Sequence, residues 1–180
     1  MKSMPLLMLV LLVVSAGVLP ASGQSQVVRE EVPGITNLAR IETTVACAGA
    51  ITPESVAGIR DMGFRSIINL RLATEQGANV DAEAAAAREA GINYFHLPFN
   101  SGSPEASVVD SFIETISMQG VEPAFIHCAG GGRAAGMWFT KRVVVDGWNT
   151  DRAMAEATEL GLSSERLRTF MLDYVSERAR

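Results

Sequence analysis

Three consecutive glycines, Gly130 to Gly132, lie between two segments of opposite character and limit what the chain around them can become. Val121 to Ile126, just before, is short and mostly apolar, the pattern of a buried strand. Ala134 to Val145, just after, carries helical spacing. Glycine reaches backbone conformations closed to other residues, so the simplest unit is strand, tight loop, helix. With its flanks the segment reads His127-Cys128-Ala129-Gly130-Gly131-Gly132-Arg133. A cysteine at a strand end, a glycine loop and an arginine at a helix start form a cradle for an oxyanion. Successive N–H groups point inward, the helix N-terminus adds partial positive charge, and the guanidinium closes the ring. The same field stabilises a thiolate, which predicts a nucleophilic Cys128.

The rest of the chain alternates short β-like runs with helical patterns, the signature of βαβ units and an α/β fold with a mainly parallel sheet. Gln24 to Leu38 reads as a polar lead-in broken by Pro33-Gly34, and Ile41 to Ala48 as a first strand. Thr52-Pro53-Glu54 starts a helix that ends at Gly63. Strands follow at Ser66 to Leu70 and Asn93 to Pro98, around an alanine-rich helix from Val80 to Ala90. A helix opens at Ser103-Pro104-Glu105, and two more, Thr150 to Leu160 and Ser163 to about Glu177, close the chain. The expected architecture is a central sheet of four to five strands flanked by helices. Ligands of such sheets bind beyond the carboxyl ends of the strands. Those ends carry Cys47-Ala48-Gly49, Arg71 to Glu75, Asn100 to Ser103 and the cradle, which should therefore meet at one site.

The N-terminus reads as a targeting segment. Lys2 precedes an apolar run from Leu6 to Leu19, shorter than the roughly 20 residues of a membrane span, and Ala21-Ser22-Gly23 offers small residues for cleavage. Cleavage after Gly23 leaves one domain, residues 24–180, exported to a periplasmic or extracellular space. Lys2 is the only charge it removes, so the formal net charge of −5 becomes −6. An acidic domain without a basic run argues against nucleic acid or an anionic membrane surface as partner. The two cysteines of the chain, Cys47 and Cys128, could form a structural disulfide or a reversible redox pair in an oxidising compartment. A glycine cradle is a poor place for a permanent crosslink.

The ordered set of motifs resembles the dual-specificity-like branch of the cysteine protein tyrosine phosphatases. More closely, it resembles the bacterial subgroup related to the domain fused to beta-lactamase-like persulfide dioxygenases. The residues that carry the resemblance are Thr52-Pro53-Glu54, the run Gly63 to Arg71, Tyr94 to Pro98, the cradle, and Gly147-Trp148 ahead of Ala153 to Ala157. The cradle has four residues between Cys128 and Arg133, where common members have five and this subgroup often has four. The resemblance implies that Cys128 is the nucleophile and forms a phosphocysteine, and that Arg133 grips two phosphoryl oxygens. The N–H groups of Ala129, Gly130, Gly131, Gly132 and Arg133 would bind the remainder. His127 would support the loop, Arg71 would orient substrate or cradle, and no metal or cofactor is needed. A phosphorylated protein or small molecule would be the partner.

Two positions depart from the family pattern. Ala134 and Ala135 stand where a hydroxyl residue usually follows the arginine, and Asn100 stands where an aspartate acid is expected. Asparagine cannot donate a proton to a leaving group at useful rates. Glu75 and Glu105 are the nearest replacements, with Glu75 preferred because a helix start makes Glu105 a weak donor. The residues also admit a sulfurtransferase carrying a persulfide on Cys128, or a module that binds an oxyanion without turnover. His96, Trp138 and Trp148 read as packed core residues, and Glu30-Glu31 as solvated.

Overall fold

Strands that are apolar on both faces occupy the middle of the sheet, as expected where helices cover each side. A computed structural model of the chain describes residues 26–178, so the expected targeting segment and its cleavage after Gly23 lie outside the described residues. Among the described residues there are six strands: β1 (Val28–Val32), β2 (Ile35–Ile41), β3 (Val45–Ala48), β4 (Ser66–Asn69), β5 (Asn93–His96) and β6 (Ala124–His127). Their order across the sheet is β1-β2-β3-β6-β4-β5. The four from β3 to β5 run parallel, with β6 between β3 and β4.

The sheet is thus mainly parallel, but the N-terminal part differs from expectation. Gln24 to Leu38 is not a lead-in. It supplies β1 and most of β2, an antiparallel hairpin turned at Pro33-Gly34 with Gly34 at φ +79°. Ile41 to Ala48 is not one strand but the end of β2, a reversal through Glu42, and β3. The charged sequence Val28-Arg29-Glu30-Glu31-Val32 concealed the edge strand, because an edge keeps polar side chains in water and needs only weak alternation.

Side chains alternate across the central strands and divide the core. Val45, Cys47, Ile68, Ala124, Ile126 and Cys128 face a cluster formed with α3 (Ala106–Ile116), α4 (Gly132–Val144), α5 (Thr150–Leu160) and α6 (Glu165–Arg178). Ala46, Ala48, Ile67 and Phe125 face the opposite cluster, which includes residues of α1 (Val56–Asp61) and α2 (Val80–Ala90). The helix expected from Thr52 begins as a single 3-10 turn, Pro53–Ser55, before α1, and the Thr52 side chain makes no cap bond.

Helix α4 is the central helix of the first layer, with Ala134, Ala135, Met137, Trp138 and Phe139 fully buried. Its far end is held by charge. Glu156 on α5 accepts from the Trp138 indole and from Arg142 Nε, each at 2.7 Å, and the Arg142 guanidinium lies 4.0 Å from the Trp148 ring centre. The Gly147-Trp148 and Glu156 motif residues therefore anchor α4 to α5, as core packing rather than as a substrate platform. Glu156→Ala removes the shared acceptor, which leaves the buried indole unsatisfied and the Arg142 guanidinium with Asp146 alone. It should lower unfolding free energy by about 3 kcal/mol, measurable by urea denaturation.

Candidate active site

The cradle forms because β6 ends at His127 and α4 begins at Gly132, with only four residues to reverse the chain. Gly131 adopts φ +101°, which L side chains rarely reach. The outward carbonyls are tied down. Ala129 O accepts from Ala50 N–H at 3.1 Å, and Gly130 O accepts from Asn37 Nδ2 at 3.2 Å. In a trans peptide the next N–H points opposite to the carbonyl, so the amides of Gly130 and Gly131 turn inward. Gly131 N–H indeed donates to Cys128 Sγ at 3.1 Å. Gly49 makes room for this loop: a Cβ there would stand 2.8 Å from Ala129 O. Gly49 belongs to the strand-end segment expected at the site, whereas Asn37 was not singled out by motif reasoning, although its left-handed φ of +49° marks a specialised position.

Arg133 enters from the first turn of α4 and is held on one side only. Its Nη1 contacts Leu70 O, Phe99 O and Glu75 Oε1, and Nη2 donates to Glu75 Oε2 at 2.8 Å. A guanidinium has five N–H donors. The internal contacts use both hydrogens of Nη1 and one of Nη2, leaving Nε–H and the second Nη2 hydrogen on a common edge for an oxyanion. Burial opposes the charge on Arg133, but Glu75 and Cys128 more than offset it and raise its pKa.

Glu75 is therefore an anchor and not a proton donor, which corrects the sequence reading. Burial pushes its carboxyl up, yet the hydrogen bond from Arg133, the Leu72 N–H, the Arg133 charge and the Arg71 hydrogen bond hold its pKa at about 2. A group so acidic is ionised at neutral pH. Arg71 does not reach the cradle directly. It is buried, donates to the Gln76 and Gly77 carbonyls, and places Nε 3.3 Å from Glu75, so it braces the loop that carries the anchor. Asn100 accepts from Gly102 N–H within its own loop, and Glu105 is an exposed residue just before α3. Fully buried Ala134 and Ala135 leave no hydroxyl beside the arginine.

His127 points to the opposite face of β6 from Cys128. Its Nε2 lies 3.3 Å from Glu83 Oε2, and both side chains are completely buried. Asn69 Nδ2 and the Tyr94 hydroxyl also donate to that oxygen. Burial raises the Glu83 carboxyl, but His127, Tyr94 and Arg71 outweigh it and the net shift is downward. The sequence signal for Glu83 was its place one turn before Ala87, on the buried face of α2. His96 Nε2 lies 2.8 Å from Arg71 O, as a packed residue. Cys47 and Cys128 are free thiols in one core cluster. Burial, then Cys128 and Glu156, push the Cys47 thiol well above its ordinary value, so Cys47 is a poor nucleophile. Among the described residues no group of three or more His, Cys, Asp or Glu side chains could hold a metal ion.

The profile of the phosphatase-like domain of beta-lactamase hydrolase-like proteins matches residues 37–144, more than half of the chain and all of the cradle. The chain belongs to this family. None of the curated proteins matches it. The chain shares its fold with several solved structures. A DUF442 protein from Shewanella putrefaciens CN-32 superposes with a TM-score of 0.66 at 18% identity, over 80% of this chain and 94% of that one. A cysteine-to-serine variant of P. aeruginosa TpbA in complex with pTyr gives 0.60 at 19%, over 82% and 87%. Tk-PTP in its active form gives 0.64 at 20%, over 81% and 98%.

The anchor has a pH signature. The Glu75 carboxyl is more acidic folded than unfolded, so its ionised form stabilises the fold above the ordinary carboxylate value. That contribution is lost as pH falls from about 4.5 toward 2. Glu75→Gln should lower the melting temperature at neutral pH and flatten its dependence across this acid range. It should also weaken vanadate binding about tenfold, as the charge-assisted bonds that aim Arg133 are lost. Thermal melts and titrations check both outcomes.

Proposed function

We propose that the protein is a cysteine-dependent phosphatase acting on phosphate monoesters with good leaving groups, phosphotyrosine-like aryl esters above all. The observation that carries this reading is the convergence of inward amides, the Gly131 N–H bonded to Cys128 Sγ, and the open edge of Arg133. An oxyanion held there presents its central atom to the thiolate. The Sγ–P bond forms as the ester P–O bond breaks, and charge on the equatorial oxygens falls on donors already in place. Water then attacks phosphorus, the S–P bond breaks, and the thiolate is regenerated with inorganic phosphate.

With Glu75 engaged by Arg133 and Asn100 in place of an acid, neither side chain delivers a proton to the departing oxygen. Aryl oxides leave without one more readily than alkoxides. The pTyr bound by TpbA, a protein of the same fold, agrees with an aryl ester. The proposal includes export, on the strength of the N-terminal segment. No helix among the described residues is long and apolar enough to cross a membrane.

Purified protein should hydrolyse p-nitrophenyl phosphate, and Cys128→Ser should reduce kcat by at least about 10³-fold. Across a series of aryl phosphates, kcat should fall steeply as the leaving phenol becomes more basic, the mark of a missing acid. A flat dependence would place a proton donor at the site. Thiosulfate with cyanide should give no thiocyanate; turnover there, with no ester hydrolysis, would instead assign a persulfide carrier.

A further inference from the structure

A cavity of about 540 Å³ opens directly beside the cradle and shares Gly130 with it. Its other walls include Arg29, Asn37, Gly161, Ser163 and Arg168, from β1, β2, the turn between α5 and α6, and α6 itself. The turn lies against the cradle helix: a Cβ on Gly132 would stand 3.4 Å from the Gly161 carbonyl oxygen. The two spaces therefore adjoin at Gly130.

Arg40, Arg142 and Arg178 are each neutralised by a carboxylate. Arg29 and Arg168 instead donate to main-chain carbonyls, Glu159 O at 2.7 Å and Leu162 O at 3.2 Å. A carbonyl fixes a guanidinium without cancelling its charge. Arg168 Nε is buried and makes no hydrogen bond within the protein; the Glu165 carboxylate stands 3.7 Å away and is itself exposed. The Arg168 side chain as a whole is 27% exposed, so it is open to the cavity that it lines.

We propose that this cavity is a second anion subsite, so that the substrate carries a further anionic group, phosphoryl or carboxylate, beside the phosphoryl that enters the cradle. The assignment rests on the phosphatase reading and names its substrate class. Arg29 and Arg168 take the second anion, while Asn37 and Ser163 supply a polar wall. Guanidinium–anion bonds of this kind are charge-assisted and directional.

The test compares meta-carboxyphenyl phosphate with neutral meta-carbamoylphenyl phosphate, and a phosphotyrosyl peptide flanked by aspartate with its asparagine counterpart. At low salt kcat/KM should favour the charged member of at least one pair by about tenfold, and rising ionic strength should erode the preference. A preference confined to the aryl pair indicates a small-molecule source of the second anion; one confined to peptides indicates an acidic phosphoprotein. The ratio should fall to about one in Arg29→Gln/Arg168→Gln and recover in part in Arg29→Lys/Arg168→Lys, since charge rather than shape carries it. A ratio near one in the wild type, or one that does not change with salt or in the glutamine variant, overturns the subsite. Calorimetric binding of the same pairs to Cys128→Ser protein separates the two claims. Selective binding with no turnover by wild type supports the subsite and defeats the phosphatase reading. Turnover without selectivity does the reverse.

Discussion

The arrangement depends on one ion pair, the two-pronged contact between Glu75 and Arg133. Arg133 is the only fixed full charge in the cradle, and a long side chain would lose its aim without a partner. Glu75 takes the inner hydrogens of both terminal nitrogens, two backbone carbonyls take the rest of Nη1, and the edge facing Cys128 stays open. The pair also joins three strand ends. Leu70 and Phe99 follow β4 and β5, while Arg133 follows β6, so the guanidinium ties the active edge of the sheet together. Arg71 braces Glu75 from behind. The loop after β4 thus serves the arginine.

A second dependence follows from the two-residue period of β6. Adjacent residues face opposite layers, so Cys128 enters the helical layer of α3 to α6 while His127 enters the layer of α2. The buried Glu83–His127 contact holds the end of β6 from the back, and Ala50 and Asn37 hold the loop from the side. A loop of glycines is flexible by composition, so its order must come from such contacts. Each outward carbonyl that is tied down turns the next amide inward, and the oxyanion is met by donors that need no rearrangement.

Much of this was legible in the sequence because it is local. The strand–glycine–helix pattern placed the cradle, and the four parallel strands announced themselves as short apolar runs between helical ones. The β1–β2 hairpin was not legible, since an edge strand written Val-Arg-Glu-Glu-Val resembles a solvated lead-in. Glu75 was read as a proton donor, whereas the structure pairs it with Arg133. Its proton affinity is set by an arginine 58 positions away, which no local pattern reveals. Asn37 and Glu83 were missed for the same reason: their partners Gly130 and His127 lie far along the chain and meet them only through the order of the sheet. Types and spacing of residues identify a nucleophile and its loop, whereas the assignment of acids requires knowing which cations they face.

The central claim is that Cys128 receives the phosphoryl group in this cradle. Rapid acid quench of the protein during turnover of p-nitrophenyl phosphate, followed by mass spectrometry of its peptides, tests it most directly. The account predicts one phosphoryl adduct on the peptide containing Cys128, accumulating because no hydroxyl follows Arg133 to help the thiolate leave, and absent from Cys128→Ser. Turnover with no adduct on Cys128, or with an adduct on another residue, would contradict it.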